Sequence, residues 1–318
     1  MTVTTRTGND YRVIIGKETA YGSGKTNVTS IDVASEVTWL SDRCEFTFTP
    51  TQIDTRAKSG VGLSTPCEFK QGYQTYTVTL SGYLSNEHEI LLKAFTGETA
   101  STYDIDGLPT LDGYVIEKVW SDTATTPLVV DKAVGCQLRE LSFTGASNDM
   151  VRYEAVFVAK TINRETTQPF TGAIPARACA KGFNFGDVTG TLNFGDTTHL
   201  KSFSLKLTNE TPDDASMFQN SNTLPTGITV AKVLGELNYV TNYYSTANDK
   251  AGESKVYSDT PLVEVLVFNN TVKDWTLTMN TQVTSYSLPE PDNALFENNV
   301  TSRLVYTTGA NPLSILVA

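Results

Sequence analysis

No stretch of this chain approaches the roughly 20 consecutive apolar residues of a membrane-spanning helix. The opening Met1-Thr2-Val3-Thr4-Thr5-Arg6 also lacks an apolar signal core. A soluble product made in a cytoplasm is therefore expected. Charge is scarce: Asp, Glu, Lys and Arg make up 19% of the 318 residues, so much of the surface is expected to face other protein. The charge present leans acidic, with 24 Lys and Arg against 35 Asp and Glu, or −11 at pH 7. Such a chain gains little by releasing counterions from phosphate, which disfavours ordinary nucleic-acid binding. Cys44, Cys67, Cys136 and Cys179 are too widely spaced for a zinc pattern and too few for a disulfide scaffold. Reduced structural thiols are expected.

Catalytic patterns are missing too. The two histidines, His88 and His199, have no Ser or Cys motif nearby, and a nucleophile needs a base within hydrogen-bonding reach. Both are expected at a surface or interface. Gly22-Ser23-Gly24-Lys25-Thr26 looks like the end of a phosphate-binding loop, but Thr19 stands where that pattern requires its first Gly. The β-branched Val28-Thr29-Ser30-Ile31 follows in place of a helix. Asp104-Ile105-Asp106-Gly107 lacks the further ligands of a calcium loop. No cofactor, metal or catalytic residue is expected.

What is abundant is Thr, Ser, Asn, Val and Tyr, punctuated by turn residues and without long apolar runs. That composition favours antiparallel β-sandwiches over a parallel α/β sheet. A block order also recurs. Cys44-Glu45-Phe46-Thr47-Phe48-Thr49, Thr75 to Leu84, and Ser121-Asp122-Thr123 with Thr126-Pro127-Leu128-Val129 are matched by Phe203 to Thr208, Thr229 to Leu237, and Ser258-Asp259-Thr260-Pro261-Leu262-Val263. The expected fold is all-β with minor helix: two tandem antiparallel β-sandwich modules, each with a flanking helix.

The boundaries expected are an N-terminal arm at 1–36, a first module at 37–160, a connector at 161–181 and a second module at 182–318 with an apolar tail. First-module strands are expected at 43–49, 74–84, 113–120, 126–130, 136–144 and 150–160. Second-module strands are expected at 182–194, 199–208, 228–240, 262–268, 274–287 and 300–308. The clearest helix is Asn86 to Phe95, capped by Ser85 or Asn86, acidic in its first turn at Glu87 and Glu89, and stopped by Gly97. A polar second helix is expected at Thr246 to Ser254.

Several segments together resemble a known family. Ile15-Gly16-Lys17-Glu18-Thr19-Ala20-Tyr21-Gly22 is similar to the G-x-E-[TS]-x-Y-G start of tail tube proteins from long-tailed phages with non-contractile tails. Also similar are Thr77 to Leu84 running into a helix that ends Leu91-Leu92-Lys93-Ala94-Phe95-Thr96-Gly97, Gly135 to Phe143 with Val151 to Phe157, and His199 to Asn209. The resemblance implies a structural virion protein, assembled in the host cytoplasm, whose rings stack into a tail tube through which DNA leaves. Six sandwich positions per ring would be filled by three duplicated chains. Implied partners are further copies of the chain, tail tip or initiator and tail terminator proteins, and the tape measure protein and DNA in the lumen without tight binding. No membrane partner is implied.

Two loops stand out as candidate contacts between rings. Residues 50–74 carry Arg56, Lys58 and Lys70, whereas 209–227 carry Glu210, Asp213 and Asp214 and no basic residue. Opposite signs at matching places suit a polymer that sets register electrostatically. An acidic channel lining is expected to let phosphate slide past. The competing readings are a two-domain β-sandwich adhesin or carbohydrate-binding surface protein, and a carbohydrate-active enzyme on a β scaffold. Exposed aromatic clusters without ring formation would mark the first, and paired carboxylates in one concave pocket the second.

Overall fold

The computed structural model of the chain describes residues 11–24, 37–40, 43–54, 69–98, 101–121, 127–165, 181–196, 199–211, 227, 229–242, 255–256, 259–287, 297–307 and 309–318. The first strands are β1 (Tyr11–Lys17), β2 (Val37–Leu40), β3 (Arg43–Asp54) and β4 (Phe69–Tyr83). A 3-10 turn at Asn86–His88 then runs into helix α1 (Glu89–Thr96). Next come β5 (Thr102–Asp104), β6 (Tyr114–Ser121), β7 (Pro127–Ala146), β8 (Arg152–Ala159) and β9 (Thr161–Glu165). The remaining strands are β10 (Val188–Leu192), β11 (Gly195–Asp196), β12 (Leu200–Glu210), β13 (Lys232–Asn242), β14 (Leu262–Asn269), β15 (Asp274–Ser287), β16 (Glu297–Leu304) and β17 (Leu313–Val317). The fold is all-β with minor helix: α1, and among the described residues also the helical pair Lys255 and Val256.

The strands form two layers. The first is a continuous antiparallel ladder of eight: β3, β4, β8, the second half of β7, β12, β13, β16 and the second half of β15. The first half of β7 leaves this layer to pair with β6 and β9, while β6 pairs with β1 and β1 with β2. The first half of β15 does the same with β14 and β17, with β10 and β11 beyond β14. The pairing order of the later strands thus repeats that of the earlier ones. Of the matched sequence blocks, the third does not occupy equivalent places. Pro127-Leu128-Val129 opens β7, but Leu262-Val263 opens β14, which holds the place of β6.

The connection between the two sets is itself a strand pair. β7 and β12 run side by side from Ser202 opposite Ala146 to Thr208 opposite Glu140. The short β5 of the first set also adds to β17, the last strand of the chain, so the apolar tail is paired on both sides. Alternation explains the layering: Leu80, Ala155, Phe157, Leu141, Phe143, Leu205, Leu207, Leu237 and Tyr239 point into the core, and their sequence neighbours point out. An aromatic cluster joins the layers. Phe143 meets Trp275 edge-on at 6.3 Å, Phe203 stacks on Phe268 at 5.5 Å, and Phe183 packs on Trp275 at 5.5 Å, adding directional contact to the large buried area.

The helix forms where its caps dictate. Ser85 and His88 close a capping box, and Gly97 ends α1 in the left-handed region at φ 75°, its N–H bonded to Lys93 O at 2.9 Å. Its buried face is Ile90, Leu91, Leu92, Ala94 and Phe95. Glu89 reaches across to the turn before β15, accepting from Lys273 at 2.7 Å, and also accepts from the Tyr103 hydroxyl of β5 at 2.6 Å.

Two expectations need correction. Residues 11–17 are no arm: β1 lies between β2 and β6, and Val13, Ile14 and Ile15 are fully buried. His88 is not at the surface. It is 3% exposed, its Nδ1 accepts from the Ser85 N–H at 2.9 Å, and its ring lies against Tyr153 at 4.3 Å. The second helix expected at 246–254 and residues 1–10 lie outside the described residues.

Candidate functional site

The surface with most to offer is the outward face of the eight-stranded ladder. Its registers place Arg43, Ser81, Glu154, Ser142, Lys206, Glu236, Arg303 and Gln282 directly opposite one another across all eight strands. The row beside it runs Tyr83, Arg152, Thr144, Ser204, Asn238, Thr301 and Ser285. This face is a lawn of hydroxyls and amides crossed by alternating charge.

Its cations are matched locally. Arg43 pairs with Glu45, Lys201 with Glu297, Lys206 with Glu140 at 2.9 Å and Arg152 with Asp149 at 2.8 Å. Arg303 faces Glu236, and Lys232 faces Glu210. The chain's net acidity is not concentrated here. A wall built from this face would be polar and nearly charge-balanced, where an acidic one was expected, because each of the six cations just named has a carboxylate beside or opposite it.

The ladder ends in two edges. Among the described residues, β3 pairs with β4 alone, and from Gln282 to Ser287 β15 pairs with β16 alone. Unpaired edges of this kind are templates for another strand. The β3 edge carries two side-chain contacts. The Cys44 N–H donates to the Tyr11 hydroxyl at 3.2 Å, and Lys118 Nζ donates to the Cys44 carbonyl at 3.1 Å.

The glycine-rich segment resolves differently from a phosphate loop. Gly22 and Gly24 adopt φ of 70° and 63° and turn their amides toward the buried carboxylate of Glu18. Gly22 N–H donates at 2.6 Å, Gly24 at 3.0 Å, and Gly135 from β7 at 3.2 Å. The nest that would hold an anion already holds one of the chain's own. Burial is the main influence on Glu18 and raises its pKa, opposed by these three amides and Lys132.

A scan against family models matches residues 8–250 to the phage tail tube protein model. The chain belongs to the phage tail tube protein family. A search of curated proteins finds no match. Family membership makes this tail tube protein a structural component of the virion tail that assembles with copies of itself and other tail proteins into a tube. Within it, the Glu18 motif that carried the sequence resemblance has a physical role: its carboxylate ties the Tyr21–Gly24 turn to β7.

The sequence-expected contact residues are not brought together among the described residues. Arg56, Lys58, Asp213 and Asp214 lie outside them. Lys70 is in β4, and Glu210 is exposed at the end of β12 opposite Lys232. Cys44 and Cys136 are buried thiols outside any disulfide, and burial pushes the Cys136 thiol well up. Asp104 and Asp106 border a small recess beside Phe95 and Val233. No cluster of three metal-ligating side chains occurs among the described residues. Sequence reasoning missed Tyr11 and Lys118. They lie 107 positions apart, and only the β1–β6 pairing makes them neighbours.

Proposed function

We propose that this tail tube protein builds the non-contractile tail of a long-tailed phage as stacked rings of three chains. Each chain acts as a fused pair of tail-tube modules. In each ring, the free β3 edge of one copy pairs with the free second half of β15 on the next, closing a barrel. The observation that carries this reading is the pair of open edges at the ends of the ladder. In pairing order they hold the places of β12 and β7, which are joined inside the chain, so the internal seam serves as a template for the external one.

The dimensions favour three copies. Twenty-four strands spaced about 4.8 Å and tilted about 40° close at a backbone diameter of roughly 48 Å, leaving a bore of about 36 Å inside the side chains. Two copies would leave about 20 Å, no more than the rough width of a DNA duplex, and six would give a backbone diameter of roughly 95 Å. The outward face of the ladder lines the bore. Its locally matched charges give phosphate no uncompensated cations to bind, so DNA passes without being held.

Register between rings is set by the basic stretch with Arg56, Lys58 and Lys70 against the acidic one with Glu210, Asp213 and Asp214. The tape measure protein occupies the lumen before DNA, and tip and terminator proteins bound the tube's two ends. Electron microscopy of the polymerised chain tests the ring: averaged cross-sections should contain three chains, and six whole chains per ring would refute the reading. Arg56→Glu with Lys58→Glu should slow elongation at low salt while the melting temperature holds, and normal elongation would remove these loops from the register.

A further inference from the structure

The edge of β3 is guarded. In an antiparallel ladder the backbone groups of alternate residues point to alternate sides. Cys44 points away from β4, since its N–H and carbonyl meet the Tyr11 hydroxyl and Lys118 Nζ at 3.2 and 3.1 Å. We propose that Tyr11 and Lys118 form a clasp over the β3 edge that keeps the free chain from pairing with a second copy until assembly displaces it. This inference rests on the seam reading given above.

The clasp is held in place. Lys118 Nζ lies 4.0 Å from the Tyr11 ring centroid and 4.9 Å from that of Trp120. The two rings pack at 5.2 Å, and Trp120 Nε1 donates to Asp131 at 3.3 Å. Asp131 in turn accepts from Arg164 on β9 at 2.6 Å. The lysine is thus gripped by two aromatic faces, which orients its ammonium toward the strand edge.

The internal seam supplies the control. β14 covers β12 through the Phe268 ring stacked on Phe203, and it holds the place in the pairing order that β6 holds. In pairing order Val188, Leu266 and Phe268 hold the places of Tyr11, Lys118 and Trp120, and none has a polar atom to offer a strand edge; the buried Glu264 of β14 accepts instead from Tyr239 and Thr281. At that seam, β12 is already paired with β7. The described polar caps therefore stand at the unpaired edge, where β6 and β1 present Lys118, Trp120 and Tyr11, and apolar residues hold the matching positions at the paired one. An exposed edge invites premature association, and a lysine on it is a known form of protection.

The test uses the full chain with Tyr11→Phe, Lys118→Met and both together. Tube formation is followed by light scattering and microscopy over a concentration series, and folding by melting temperature. The double variant should form tubes about tenfold faster, or at about a tenth of the concentration, as expected for losing two hydrogen bonds that compete with the seam. Tyr11→Phe, which removes only a hydroxyl, should give part of that gain and serves as the test if the double variant does not fold. A folded variant that assembles no faster than the unaltered chain overturns the clasp. Hydrogen exchange tests the seam separately: residues 43–49 and 282–287 should gain protection in tubes of either chain. Absence of that gain overturns the seam, whereas protection with unchanged rates overturns the clasp alone.

Discussion

Glu117 gives the sharpest stability test. It sits in the middle of β6, opposite Ile14 on β1 and Lys132 on β7. It is fully buried, and neither carboxyl oxygen has a hydrogen-bond partner. Burial raises its pKa to about 8, partly opposed by Lys132 and reinforced by Glu165. Lys132 Nζ lies 3.9 Å from Glu165, so its charge is shared. In the unfolded chain the same group ionises near its ordinary value of 4.5. Between these two values the native state holds a proton that the unfolded state has released. Stability therefore falls as pH rises through that window, by about 1.4 kcal/mol per unit. At pH 7 the accumulated loss is about 3 kcal/mol. At roughly 2 cal/mol/K per residue of unfolding entropy, that corresponds to a melting shift of about 4–5 °C in a chain this long. Glu117→Gln removes the titration and keeps the shape. Scanning calorimetry should find the variant more stable at pH 7, with a difference that shrinks toward zero by pH 5. A difference independent of pH, or a variant less stable at pH 7, would refute the reasoning.

Glu18→Ala strands three buried or half-buried amides and should cost about 3 kcal/mol in denaturant unfolding, with faster hydrogen exchange at Gly22, Gly24 and Gly135. Gly145→Ala places a methyl group into the Phe203 and Phe185 rings and should cost about 1–3 kcal/mol by the same assay. Lys206→Ala breaks an exposed ion pair with Glu140 and should change stability by less than about 1 kcal/mol; a larger loss would mean that the open face carries folding stability as well as surface charge.

Strand positions were legible wherever one face of a strand is buried and the other open. β12, β14 and β15 fall within a residue or two of their expected limits because Phe203, Leu205 and Leu207, or Trp275, Leu277 and Met279, alternate with polar neighbours. α1 was legible from its caps. β1 was not, because Val13, Ile14 and Ile15 are buried on both faces, and a short run without alternation reads as a patch. β7 was expected as two strands, 126–130 and 136–144, but is one of 20 residues. The apparent break is Gly135, at φ 66° with Tyr21 and Lys160 packed where a side chain would stand. It marks where the strand passes from one layer to the other.

The candidate assembly surface shows where local pattern stops being informative. Alternation reports which side of a strand meets water, and that is why the open face of the ladder could be read as polar. It does not report which strand lies alongside. The eight-strand order, the β7–β12 seam and the two edges at β3 and β15 all depend on pairings between distant residues, 55 to 83 positions apart where β7 meets β12, β4 meets β8 and β13 meets β16. Charge follows the same logic. The excess of acid is a sum over the chain, but what a passing polyanion feels is set by neighbours within about a Debye length, roughly 8–10 Å. Lys206 has Glu140 at 2.9 Å and Glu236 across the strand, so in the proposed ring its field would be cancelled before the middle of a bore about 36 Å wide. A balanced wall of this kind would neither bind DNA nor repel it strongly. Net charge alone points to repulsion, whereas the proposed lining leads by its pairing geometry to the expectation of indifference.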